Sequence, residues 1–179
     1  MASNENNLTP SEDHLATVKK LYFKGDYKEA LSALDILSRD FPNDPILFII
    51  GGDCYLSLKQ YELAISCYEE ALKLSPKNIL IYRKKIDVLF STGNTEEALI
   101  LSREAIQISP DNFDLYLTQG NIFHVLTQYD KAIESYNRVI SLNPNSAFAF
   151  CNKSNSLIEL REFEEAVTCA KKAIQIKHD

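Results

Sequence analysis

Apolar and polar positions along this chain follow a helical period, in blocks broken at regular intervals. Within 45–78, Phe48, Cys54, Tyr55 and Leu58 recur at three-to-four spacing, which predicts a first helix with an inward stripe. The stretch "LKQY" interrupts it. Ala64, Ile65, Tyr68, Ala71, Leu72 and Leu74 then share one face of a second helix. Pro76, which has no N–H to donate, ends that helix. Two helices joined by a short turn predict an antiparallel helical hairpin.

The hairpin recurs. Ala30, Ala64, Ala98, Ala132 and Ala166 each stand 34 residues after the last, and Pro42, Pro76, Pro110 and Pro144 keep the same step. A fixed period of this size is the signature of a stacked repeat protein. The expected units are 11–44, 45–78, 79–112, 113–146 and 147–179, a single repeat domain over 11–179, with 1–10 as a disordered N-terminal tail. Small residues mark where helices cross: alanine at every second-helix start, Gly52 and Gly120 on first helices, and Ala71, Ala105 and Ala173 where the next unit approaches. Helix propensity would also favour alanine, but not at one register in all five copies. Caps are expected from Thr9-Pro10-Ser11-Glu12, which has a capping-box pattern with proline first, and from Asp26 to Glu29 and Asn94 to Glu97 at two second helices.

A small residue and an aromatic in the first helix (A), alanine, aromatic and alanine in the second (B), and proline at the exit resemble the tetratricopeptide repeat. "FIIGGDCY…YELAISCYEEALKLSP" and "YLTQGNIF…YDKAIESYNRVISLNP" are similar to the family pattern. The other copies drift: Val18, Ile86 and Ser154 replace the glycine, and Ser102 and Ala170 replace the second aromatic. Closer and looser copies alternate, a hint of a duplicated two-repeat unit, although alternate units look no more alike than neighbours do. The expected fold is all-α, a right-handed superhelical solenoid of five helix-turn-helix hairpins. The resemblance implies that helices A line a concave groove that grips a peptide or a partner protein.

Composition narrows the partners. The chain carries a net charge of −6, with no run of lysine or arginine, which argues against nucleic acid or an anionic membrane as the main partner. No apolar stretch reaches the roughly 20 residues that span a bilayer, and the N-terminus lacks a signal-peptide pattern. Cys54, Cys67, Cys151 and Cys169 show no metal or redox spacing and are expected as reduced, mostly buried thiols of a cytoplasmic protein. Paired acidic residues at helix-B starts suit the helix dipole rather than acid–base chemistry. No cofactor, metal site or catalytic constellation is expected.

Register places one row of each helix A toward the groove. The expected partner-binding residues are Lys19 and Tyr22; Ile49, Asp53 and Leu56; Arg83, Asp87 and Phe90; Leu117, Asn121 and His124; and Asn155. Aromatic and apolar anchors with sparse polar groups suit a peptide-binding surface; a one-position error would instead put Phe90 and Leu117 in the core. Family members that hold heat-shock chaperone tails use a carboxylate clamp of lysines, asparagines and an arginine. Asn121 and Asn152 fall on its asparagine places, but Leu117 stands at its first lysine place, and the intact clamp is absent. The expected function is a non-catalytic adaptor or scaffold, with a chaperone for a specific protein substrate as the alternative. The chain is expected to be a monomer, although Val167, Ala170 and Ile174 form an apolar C-terminal edge that invites self-association.

Overall fold

In a computed structural model, which describes residues 10–178, the chain is all α-helical among the described residues. Residues 1–9, most of the expected tail, lie outside that range, as does Thr9 of the expected first cap. The A helices are α1 (Glu12–Lys24), α3 (Pro45–Ser57), α5 (Ile79–Ser91), α7 (Phe113–Val125) and α9 (Ala147–Glu159). The B helices are α2 (Tyr27–Asp40), α4 (Tyr61–Leu74), α6 (Thr95–Ile108), α8 (Tyr129–Leu142) and α10 (Phe163–His178). The ten helices match five A–B hairpins. Two compact units divide the chain, one ending at Val88 and one beginning at Leu89, so the division falls inside α5.

Every A–B turn uses one left-handed residue. Gly25, Lys59, Gly93, Thr127 and Arg161 have φ of 88°, 59°, 84°, 56° and 64°, and they recur at the 34-residue period. Each donates its N–H back to the last turn of helix A, as Thr127 does to His124 O at 3.0 Å. The next residue reaches further back, as Gln128 does to Phe123 O at 2.9 Å. These bonds satisfy carbonyls that the helix end leaves open. A left-handed residue is natural for glycine and strained for threonine.

Side-chain caps sit at helices A rather than helices B. Asp44, Asn78 and Asn112 accept from backbone N–H groups two residues on (2.8, 3.1 and 3.1 Å), and Ser146 accepts from Ala149 N. Each lies two residues after one of the periodic prolines. Ser11 caps α1, so Pro10 precedes the cap and is not the first helical residue. The expected caps Asp26 and Asn94 make no side-chain cap bond. The left-handed turn holds them near φ −80° and ψ 60°, outside the extended conformation that aims a cap over the first turn. Asp26 pairs with Lys24 instead, and Asn94 Nδ2 donates to Thr92.

In the first unit the core begins with Leu15, Val18, Ala30, Leu34, Leu47 and Cys54 and continues through Ala64, Tyr68, Ala71, Ile81 and Val88. On α3 the expected Cys54 is fully buried, but near the helix start Leu47 is buried in place of the expected Phe48, one residue on, which is half-buried. In the second unit Leu115, Ile122, Tyr136, Val139, Ala149 and Leu157 are almost fully buried. Ala30, Ala64, Ala98 and Ala132 have no exposed surface, and Ala166 has 3 %. Glycine and tyrosine come as pairs. A Cβ on Gly52 would lie 2.5 Å from Cε1 of Tyr68, and one on Gly120 would lie 2.5 Å from Cε1 of Tyr136. Where Val18 replaces the glycine, Leu34 holds the facing position in the same cluster. Where Ser154 does, Ala170 stands opposite in register and Ser154 Oγ donates to Ala166 O at 2.8 Å. Volume is exchanged across the crossing rather than added, as dense packing requires.

Candidate functional site

Glycine at 52 and 120 lets a tyrosine ring lie flat against helix A, and the ring's length decides what its hydroxyl meets. Tyr136 donates to Asn121 Oδ1 at 2.9 Å, and Asn152 Nδ2 donates to the same oxygen at 2.8 Å. In the first unit Tyr68 donates to Asp53 Oδ1 at 2.6 Å, and Lys84 Nζ reaches both carboxylate oxygens at 2.8 and 2.9 Å. The two triads share one spacing, 15 residues from helix A to helix B and 31 to the next helix A. Both are electrically neutral, one through an ion pair and one through two amides. Burial, and then the Asp53 hydrogen bond, push the Tyr68 hydroxyl far above the ordinary tyrosine pKa. Burial alone does so for Tyr136.

The second unit's triad forms one wall of an open pocket of about 250 Å³, lined by Phe90, Asn121, His124, Val125, Tyr136, Asn152 and Asn155. No lysine, arginine or carboxylate lines it. Asn121 Oδ1 is taken by its two donors, whereas Asn121 Nδ2 and Asn152 Oδ1 make no hydrogen bond among the described residues. Asn155 is exposed and likewise makes none. His124 is held from behind: Nδ1 lies 2.9 Å from Ser156 Oγ, and the ring meets Tyr129 edge-on at 5.3 Å. The pocket therefore offers amide donors and acceptors beside an aromatic ring and a valine.

Four of the expected groove residues, Phe90, Asn121, His124 and Asn155, come together here. Leu117 is half-buried and does not line the pocket. In the first unit the row is less open. Ile49 and Leu56 pack on the core around Tyr68, and Asp53 is occupied by Tyr68 and Lys84. Tyr22 is half-buried, edge-on to Phe23 and Tyr27, with its pKa raised by burial and then by Asp53. Lys19 is exposed, and Arg83 is half-buried with interactions of its own. Asp87 is exposed as a residue, yet protein packed around its carboxylate raises its pKa, outweighing Arg83 and Lys84. Val125, which no groove register includes, lines the pocket because it ends α7 beside His124. The repeated spacing of 53, 68 and 84 with 121, 136 and 152 was the signal in the sequence for the triads.

Of the cysteines, Cys54 and Cys169 are buried, Cys67 is half-buried and Cys151 is exposed, which departs from the expectation of mostly buried thiols. At the α9–α10 face Val167 and Ile174 are exposed, at 52 % and 58 %. No helix among the described residues is long and apolar enough to cross a membrane.

Three family models of the tetratricopeptide repeat match, over residues 52–78, 113–146 and 149–179. No curated protein matches the chain. Among solved structures, the crystal structure of MamA is similar at 22 % identity, covering 96 % of this chain and 97 % of its own, with a TM-score of 0.84. A MamA structure (41-end) from Desulfovibrio magneticus RS-1 is similar at 20 % identity, with 93 % and 94 % covered and a TM-score of 0.84. YrrB, described as a tetratricopeptide repeat protein with an unusual peptide-binding site, is similar at 19 % identity, with 95 % and 88 % covered and a TM-score of 0.77. At these identities the likeness is one of fold.

Proposed function

Because the chain belongs to the tetratricopeptide repeat family, we propose that it is a non-catalytic adaptor that binds an extended segment of a partner protein on its helix-A face. The Phe90–Asn121–Asn152 pocket is the anchoring site. One observation carries this reading: the pocket leaves a free amide donor on Asn121 and a free amide acceptor on Asn152, next to Phe90 and Val125. A peptide backbone presents the complementary pair, and its side chain would sit on the apolar wall. The similarity to YrrB, whose description names a peptide-binding site, supports the same use of the fold. The lack of any lining cation argues against a clamp for terminal carboxylates.

The test is partner capture by the full chain from its source cell, identification of the partner by mass, and titration with that partner purified. Phe90→Ala with Asn155→Lys should weaken binding by about tenfold or more, as loss of a central anchor does, while helix content stays the same. Undiminished binding by this variant sinks the proposal.

A further inference from the structure

The side of α7 turned away from Asn121 carries a second hollow, of about 360 Å³, walled by α6 and α8. At about 100° per residue, Tyr116, Gln119 and Phe123 lie well round the helix from Asn121. Three cations line this hollow, Arg103, Lys131 and Arg138, against one carboxylate, Glu134. Arg138 also touches Asp111 at 3.4 Å, but that carboxylate is 84 % exposed and such a pair is weak. Arg103 has no ion pair among the described residues. Cations gather here in a chain whose net charge is −6.

The hollow is also braced. Lys131 Nζ stands 5.7 Å over the Phe123 ring, and the Arg138 guanidinium stands 5.7 Å over Tyr116, each drawn to an aromatic face. Gln119 ties the floor down, donating to Ser102 Oγ and accepting from Ser135 Oγ, both at 3.4 Å. Two guanidiniums, an ammonium and two rings therefore share one concavity. In the sequence these cations lie on two helices, Arg103 on α6 and Lys131 and Arg138 on α8, and form no run, which is why composition hides them.

We propose that this hollow docks an acidic segment of a partner protein, with Arg103 and Arg138 forking its carboxylates and Tyr116 and Phe123 taking its methylene groups. Guanidinium forks match planar carboxylates in two parallel hydrogen bonds. Nucleic acid or a membrane surface needs a broad positive field, which a net-acidic chain does not offer. The site lies on the opposite side of α7 from the amide pocket, so the two can be occupied and tested separately.

The experiment is fluorescence anisotropy of a fluorescein-labelled oligoglutamate peptide titrated with the full chain. Saturable binding with one peptide per chain is expected, weakening as salt is raised beyond about 0.15 M. Arg103→Gln with Arg138→Gln should lower affinity by about tenfold or more, and Phe90→Ala should leave it unchanged. If the double glutamine variant loses its far-UV helix signal, Arg103→Lys with Arg138→Lys keeps the charge and removes the fork; it should still bind more weakly. Failure of the peptide to saturate, or equal affinity in the arginine variants, overturns the proposal. So does equal competition by inorganic phosphate, or equal binding to phosphatidylserine vesicles. Self-association that the arginine variants abolish, without peptide binding, would put a second copy in the hollow and equally overturn it. Loss of the groove partner through Phe90→Ala alone bears on the amide pocket, not on this site.

Discussion

A Cβ on Gly120 would fall 2.5 Å from Cε1 of Tyr136, nearer than side chains approach one another, so the glycine is what lets the tyrosine hydroxyl reach Asn121. Gly120→Ala should therefore lower stability by about 1–3 kcal/mol through overpacking. Adding Tyr136→Leu, the residue that faces Val18 from position 34, should return part of that loss. Denaturant melts of the two single variants and the double variant form the cycle. Additive effects would show that the pair does not act as a unit.

Thr127 and Gly93 hold the same turn position with opposite strain. A β-branched residue in the left-handed region costs about 1–2 kcal/mol, and glycine returns about 0.4–1 kcal/mol of that through unfolded-state entropy. Thr127→Gly should raise stability by a few tenths to about 1 kcal/mol. Gly93→Ala should lower it by about 1 kcal/mol from conformation alone, because nothing lies within 4 Å of an added Cβ. Thermal melts that show Thr127→Gly destabilised would reject this account of the turn.

The two triads invite a transplant. Lys84→Asn takes the cation away from the Asp53 carboxylate, 18 % exposed, leaving that charge only neutral donors, and should cost about 1–3 kcal/mol. Asp53→Asn with Lys84→Asn recreates the second unit's amide pair in the first and should cost clearly less than Lys84→Asn alone. A double variant at least as unstable as the single one would mean that charge, not hydrogen bonding, holds this site.

Alkaline pH should erode stability. Burial lifts the thiols of Cys54 and Cys67 to about 11 from an ordinary 9.0 and lifts Tyr68 and Tyr136 well above 10.0. The folded chain thus binds protons more tightly than the unfolded one. That contribution is complete below about pH 9 and is lost as pH rises through 11 and beyond. Urea midpoints across this range should fall, and Cys54→Ala with Cys67→Ala should flatten the lower part of the decline. An unchanged slope in that variant would assign the effect elsewhere.

Thiol chemistry should be ordered by position. Cys151 is exposed on α9, whereas Cys54 and Cys169 are buried. A neutral maleimide should modify Cys151 first, with Cys54 and Cys169 reacting on unfolding, as read by mass after digestion.

The period of 34, the helix type and the hairpin pairing were legible from residue spacing alone, because each depends on contacts a few residues apart or on one period repeated. The caps were not. A capping side chain works only if the turn aims it over the helix, and the left-handed residue at 25, 59, 93, 127 and 161 aims Asp26 and Asn94 away. Lys59, Thr127 and Arg161 give no local hint of that conformation, since it is imposed by the hairpin they close.

The groove row was half legible. Spacing put Asp53, Asn121 and His124 on one side of their helices, but it could not say which were engaged. Asp53 is satisfied by Tyr68 and Lys84, residues 15 and 31 positions away, and only the packed helices bring those groups within 3 Å. Asn121 is satisfied on one atom alone, because an amide, unlike a carboxylate, carries a second group of opposite hydrogen-bonding sense. The same limit applies to Arg103, Lys131 and Arg138. Each reads as an ordinary surface cation in the chain, and they become a cluster only because helix packing places α6 and α8 on either side of one face of α7. Local spacing determined the elements; the distances between helices decided which side chains remain free to act.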